Sequence, residues 1–191
     1  MRIRKVFRAA AAGLVMLATV FTVQTPASAA NGIYISVYPP SGGTPASVPM
    51  VLDMRDLSMN NGGRAQLWQK RTTGEYRNQR WLVTAKGSLQ GYTYYQIKNE
   101  LSQLCLDMAT DVPHGSGVRV QQWECSSGWN QRWLAMPVET GNNWVQLINL
   151  AVTGLGPDRV CLDVTDVNYS NGALLQVWRC SGNWNQRWNI Y

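Results

Sequence analysis

A phrase written three times at fixed spacing constrains this chain more than any other feature. Each copy ends in Asn-Gln-Arg-Trp, at residues 78–81, 130–133 and 185–188. Upstream of each lies a Gln-x-Trp (Gln66-Leu67-Trp68, Gln121-Gln122-Trp123, Gln176-Val177-Trp178). Further upstream lies a Leu-Asp (Leu52-Asp53, Leu106-Asp107, Leu162-Asp163). Trp68, Trp123 and Trp178 are each 55 residues apart. A long repeat at constant period sets the architecture before any local reading does, because each unit must bury its apolar face against its neighbours.

The first 29 residues stand outside this pattern. Arg2, Arg4, Lys5 and Arg8 form a basic start, Ala9 to Thr22 an apolar run of 14 residues, and Ala27-Ser28-Ala29 a small-residue cleavage site. This is the layout of a secretory signal peptide. The run is shorter than the roughly 20 residues a membrane-spanning helix needs. Cleavage after Ala29 leaves residues 30–191, enough for a single domain with one core, and an extracellular location is expected. Four of the 17 basic residues fall in the leader, leaving 13 against 11 acidic ones. They are scattered, so no nucleic-acid footprint is expected.

Cys105, Cys125, Cys161 and Cys180 form an even set in an exported chain, which points to disulfides; four cysteines allow three pairings. The repeat register selects one. Cys105 and Cys161 each precede Leu-Asp, and Cys125 and Cys180 each follow the Gln-x-Trp tryptophan by two residues. One bridge inside each of repeats two and three follows, Cys105–Cys125 and Cys161–Cys180, each contributing about 3 kcal/mol in the chain-entropy model. In repeat one the matching residues are Val51 and Lys70, so both cysteines are absent together. One histidine and no Cys-x-x-Cys argue against a metal site.

Short runs rich in β-branched and aromatic residues alternate with turn formers, and no segment sustains a helical apolar period. Strands are expected at residues 33–38, 92–98, 118–124, 144–148 and 174–178. Turns are expected at Asn61-Gly62-Gly63, His114-Gly115-Ser116-Gly117 and Asn171-Gly172, and a loop at Pro39–Pro45. The chain reads as all-β, in three repeats running approximately over residues 32–85, 92–137 and 142–191.

Cys-Leu-Asp, Gln-x-Trp-x-Cys and Asn-Gln-x-Trp in this order, in register, resemble the ricin-type lectin family. The resemblance covers essentially the whole mature chain and implies a β-trefoil. In such lectins the aromatic of the first Gln-x-Trp stacks on a sugar. The Asp and the Asn hold vicinal hydroxyls, and the neighbouring Gln orients the Asp. Carried over by position, repeat one offers Asp53, Gln66, Trp68, Asn78 and Gln79. Repeat two offers Asp107, Gln121, Trp123, Asn130 and Gln131, and repeat three Asp163, Gln176, Trp178, Asn185 and Gln186.

The chemistry suits these residue types. An aromatic ring gives an apolar platform for the C–H face of a pyranose. A carboxylate accepts two hydroxyl hydrogens, and an amide both donates and accepts. Alternation along a strand would turn Trp81, Trp133 and Trp188 inward as core and Arg80, Arg132 and Arg187 toward solvent. Repeat one carries three extra residues between Trp68 and Asn78, around Arg71–Tyr76, which would reshape or cover its pocket. The sites therefore rank third, second, first. Trp129 and Trp184 precede the Asn of the two stronger sites, either extending the platform or packing beneath the loop. The expected function is that of a secreted lectin for galactose-type or xylan-type glycans, with no cofactor. A trefoil acting through a protein surface, as an inhibitor or toxin-associated subunit, is the alternative. An enzyme is not expected: His114 sits in a turn, and the pocket carboxylates come one per repeat rather than as the close pair of glycoside hydrolysis.

Overall fold

A computed structural model describes residues 32–37, 48–139, 143–152 and 155–190. The leader, its cleavage site and the Pro39–Pro45 loop lie outside them. Among the described residues twelve strands fall four to a repeat. Repeat one holds β1 (Ile35–Val37), β2 (Met50–Met54), β3 (Ala65–Gln69) and β4 (Trp81–Leu89). Repeat two holds β5 (Tyr92–Asn99), β6 (Cys105–Met108), β7 (Val118–Trp123) and β8 (Trp133–Pro137). Repeat three holds β9 (Trp144–Asn149), β10 (Val160–Val164), β11 (Leu175–Arg179) and β12 (Trp188–Ile190).

The first and last strands of each repeat form a ring. β1 pairs β12, β12 pairs β9, β9 pairs β8, β8 pairs β5 and β5 pairs β4, all antiparallel. A bridge from Ile33 to Trp81 closes it. Closure removes the exposed edges that an open sheet would present. The middle strands form three hairpins, β2–β3, β6–β7 and β10–β11. Their second strands meet one another, through Gln176↔Arg119, Arg64↔Gln121 and Gln66↔Leu174. Six-stranded barrel plus three-hairpin cap is the β-trefoil; its fourth strand runs to Leu89, four residues past the expected end of repeat one.

Trp81, Trp133 and Trp188 are fully buried in one core with Leu52, Leu67, Leu106, Leu147 and Leu162. Each indole N–H donates to a main-chain carbonyl: Leu52 at 3.1 Å, Leu106 at 2.9 Å and Leu162 at 2.9 Å. Burial of these large rings is thus achieved without an orphaned donor. Those carbonyls belong to the residue just before each pocket Asp. One strand residue therefore faces the core while the next faces the opposite side.

The arginines depart from expectation. The Asn-Gln pairs do not lie on strands but in 3-10 turns at Arg77–Gln79, Trp129–Gln131 and Trp184–Gln186, and only the tryptophan begins the strand. Strand alternation therefore does not govern the motif. Arg80, Arg132 and Arg187 lie folded against the surface rather than in solvent. Arg80 stacks on Tyr34 beside Glu100, Arg132 donates to the Ser126 carbonyl, and Arg187 stacks on Trp184.

Candidate functional site

Both disulfides form as the register requires, Cys105–Cys125 and Cys161–Cys180. In repeat one the corresponding strand contact survives without them, through Lys70 N–H to the Pro49 carbonyl, as Cys180 N–H meets the Arg159 carbonyl. Lys70 places its ammonium over the Tyr34 ring at 4.2 Å.

The three aspartates are built alike. In repeat three, Gln176 Nε2 donates to Asp163 Oδ1 at 3.0 Å, while Asn185 Nδ2 and Gln186 Nε2 donate to Oδ2 at 2.7 and 2.9 Å. In repeat two, Gln121, Asn130 and Gln131 meet Asp107 at 3.0, 2.7 and 3.0 Å. In repeat one, Gln66, Asn78 and Gln79 meet Asp53 at 2.8, 2.9 and 3.0 Å. Each carboxylate is thus gripped by three amides and leaves lone pairs over. The second glutamine is further fixed by a bond from its Nε2 to a main-chain carbonyl at the end of the second hairpin strand or just past it (Gln69, Glu124, Arg179). Burial pushes the carboxyl pKa of Asp53, Asp107 and Asp163 above the ordinary value, against the pull of the amide donors. The glutamines are consequently supports of the Asp.

Two of the aspartates open onto clefts. Asp107 shares one with Gln121, Trp123, Ser126, Asn130 and the Arg119–Asp111 ion pair. Asp163 shares the other with Val167, Gln176, Trp178, Ser181 and Asn185. Trp123 and Trp178 are 44% and 47% exposed, which separates them from the buried Trp133 and Trp188. Repeat one differs. Trp68 is half-buried, and the Arg71 guanidinium lies over its ring at 5.3 Å and 4.0 Å from Asp53, which has no exposure at all. The backbone N–H of Arg71 bonds Gln79 Oε1, as Ser126 does to Gln131 and Ser181 to Gln186. Arg71 therefore stands where the open clefts have a serine. The covering group is this side chain, at the start of the extra loop.

The turns bear on the site in a way that the local reading missed. A Cβ added at Gly172 would touch Trp68, one at Gly62 Trp123, and one at Gly117 Trp178. Each cleft tryptophan thus rests on the turn of another repeat. The next residue is tied to the same turn: Gln69 N–H to Asn171 Oδ1, Glu124 N–H to Asn61 Oδ1, Arg179 N–H to Ser116 Oγ. These glycines have φ of +83°, +86° and +88°, a region L side chains avoid. Asn61-Gly62, Ser116-Gly117 and Asn171-Gly172 recur at the same 55-residue period as the tryptophans, the signal that marks them.

Residues 93–191 match the family model described as ricin-type beta-trefoil lectin domain. The chain belongs to the ricin-type β-trefoil lectin family. Solved structures agree on the fold of this lectin domain. A designed three-fold symmetric protein, ThreeFoil, is 26% identical, with a TM-score of 0.64 over 83% of this chain and 97% of its own. An exo-β-1,3-galactanase from Clostridium thermocellum is 26% identical, with a TM-score of 0.60 over 83% of this chain and 30% of that enzyme. The C-half of an earthworm R-type lectin, in complex with GalNAc, is 18% identical, with a TM-score of 0.52 over 83% of this chain and 97% of its own. No curated protein matches the chain by sequence.

Proposed function

We propose that this ricin-type lectin is a secreted glycan-binding protein that works through the clefts of repeats two and three. The observation that carries this reading is the twice-built pairing of an ion-capable carboxylate, immobilised by three amides, with an exposed tryptophan in one open cleft. The carboxylate accepts vicinal hydroxyls, Asn130 or Asn185 completes the polar rim, and Trp123 or Trp178 takes the apolar sugar face. Galactose-type and xylan-type glycans are the proposed ligands. Each shallow cleft binds weakly alone; two on one rigid body gain through effective concentration on a polymeric glycan. Residues 1–29 are proposed as the export signal. The two disulfides fit an oxidising compartment, and no helix among the described residues is long and apolar enough to cross a membrane.

Retention of the mature protein on immobilised galactosides, xylan, arabinan and mannan tests the reading. Asp107→Asn and Asp163→Asn should each weaken retention on the polymer that binds, and the double variant should abolish it. Failure of the unmutated protein to bind any of the four would overturn the proposal in favour of a protein-binding surface.

A further inference from the structure

We propose that repeat two carries a second sugar-stacking subsite, formed by Trp129 and Tyr94 beside the Asp107 cleft. Repeat two then takes consecutive units of a glycan chain, whereas repeat three takes one unit. The inference rests on the proposed glycan-binding function and specifies what one of its two clefts reads.

Trp129 is 57% exposed, more than any other large apolar side chain among the described residues. It lies outside the Asp107 cleft but directly precedes Asn130, which lines it. Its backbone is held rigidly, because the two residues that complete its 3-10 turn, Asn130 and Gln131, are both bonded to Asp107. The indole lies 5.9 Å from the Tyr94 ring, tilted by 59°, so the two rings make a corner rather than a stack. Tyr94 is held from behind. A Cβ at Gly87, where the β4–β5 register shifts, would come within 3 Å of its ring and hydroxyl.

The corner and the cleft share a wall. Gln96 lies two residues along β5 from Tyr94, on the same face of the strand. Its Nε2 donates to the Ser126 carbonyl at 2.9 Å, and Ser126 lines the Asp107 cleft. A pyranose seated on Trp123 therefore has a second aromatic surface next to it, edged by the amides of Gln96 and Asn130. Flat rings with polar edges suit a sugar's apolar face and rim hydroxyls.

Repeat three has the same tryptophan in a different state. Arg187 lays its guanidinium over Trp184 at 4.0 Å, fixed by Glu139 at 2.8 Å and by the Gly182 carbonyl. In repeat two the matching Arg132 turns away to the Ser126 carbonyl at 3.1 Å, and no described cation stacks on Trp129. The same sequence position is covered in one repeat and presented in the other.

The test is calorimetric titration with galactose, xylose, arabinose and mannose and their matching linear tetrasaccharides. In the Asp163→Asn protein, where repeat three is silenced, the tetrasaccharide of the recognised sugar should bind about tenfold tighter than the monosaccharide, the size of one aromatic contact. Adding Trp129→Ala should remove that preference and leave monosaccharide affinity and thermal midpoint unchanged. In the Asp107→Asn protein, where repeat three acts alone, chain length should make no difference. Equal affinity for the two ligands in the Asp163→Asn protein, or a preference that survives Trp129→Ala, would overturn the subsite and leave glycan binding standing. Binding of none of the eight sugars by the unmutated protein would overturn both.

Discussion

Repeat one and repeat three share the same buried hub and differ in what lies above it. In both, two glutamines and an asparagine grip one carboxylate, and a core tryptophan bonds the carbonyl one residue earlier. In repeat three a serine borders the hub, and the cleft is open. In repeat one an arginine takes the serine's place, stacks on the platform tryptophan and reaches toward the carboxylate. The hub is therefore an architectural element in its own right, kept where its outward face is covered. The proposed binding mode adds a further condition, an uncovered tryptophan.

The largest effect should come from removing the hub where it is sealed. Asp53→Ala strands three amide donors that are out of reach of water, each worth about 1–3 kcal/mol when left unpaired. Loss of about 3 kcal/mol or more is expected by denaturant titration. Asp163→Ala strands the same three donors beside an open cleft that admits water, so a loss of about half as much is expected. Equal losses would show that Arg71 does not seal repeat one.

Next come the bridges. Removing Cys161–Cys180 as a pair of alanines should cost about 3 kcal/mol. Introducing Cys at both Val51 and Lys70 should return up to a similar amount, since the strand contact at that position is already made. Mass measurement before and after reduction checks formation of the third bridge.

Much of the architecture was legible because it rests on period. Three copies of the motif and alternating β-rich runs and turns pointed to a closed three-repeat all-β fold, the resemblance to ricin-type lectins to the trefoil, and the cysteines missing as a pair to the disulfide pairing. The hub's composition was legible as well, since Asp, Gln, Asn and Gln recur in register. What was hidden depends on where a chain bends rather than on what it contains. Asn78-Gln79 reads as strand beside Trp81, yet it forms a 3-10 turn that swings both amides to Asp53. Arg80, Arg132 and Arg187 were misplaced for that reason. Arg71 stands three residues after Trp68, as Ser126 and Ser181 stand after Trp123 and Trp178, so its place is legible in the sequence, but its lying across Trp68 and toward Asp53 depends on how the side chain folds back.

Arg71→Ser sharpens the comparison most directly, because it gives repeat one the residue the open clefts carry. Removing the guanidinium should expose Trp68 and Asp53. Calorimetric stoichiometry with the recognised monosaccharide should then rise from two sites per chain toward three, with the affinities of the other two unchanged. A stoichiometry that stays at two would assign the closure to the remainder of the extra loop.

The smallest effect is on protonation. Burial, the main cause, holds the carboxyls of Asp53, Asp107 and Asp163 above the ordinary 3.8. The folded chain thus takes up these protons at higher pH than the unfolded one. Their linkage contribution to stability is fully present below 3.8 and is lost as pH rises through the raised values. Binding runs the opposite way, because the ionised carboxylate is what accepts hydroxyl hydrogens. Affinity should fall as pH drops through a midpoint above 3.8, and a midpoint at or below that value would mean that the amide donors outweigh burial. Arg71 is one of the groups pulling Asp53 down, and nothing of the kind stands beside Asp163, where Asp166 pushes the other way. Arg71→Ser should accordingly move the Asp53 carboxyl titration upward in side-chain carbon NMR while leaving Asp107 and Asp163 in place. Admitting water to the newly opened cleft opposes that shift by relieving burial. The sign of the measured change therefore decides whether Arg71 acts on Asp53 chiefly as a charge or as a cover.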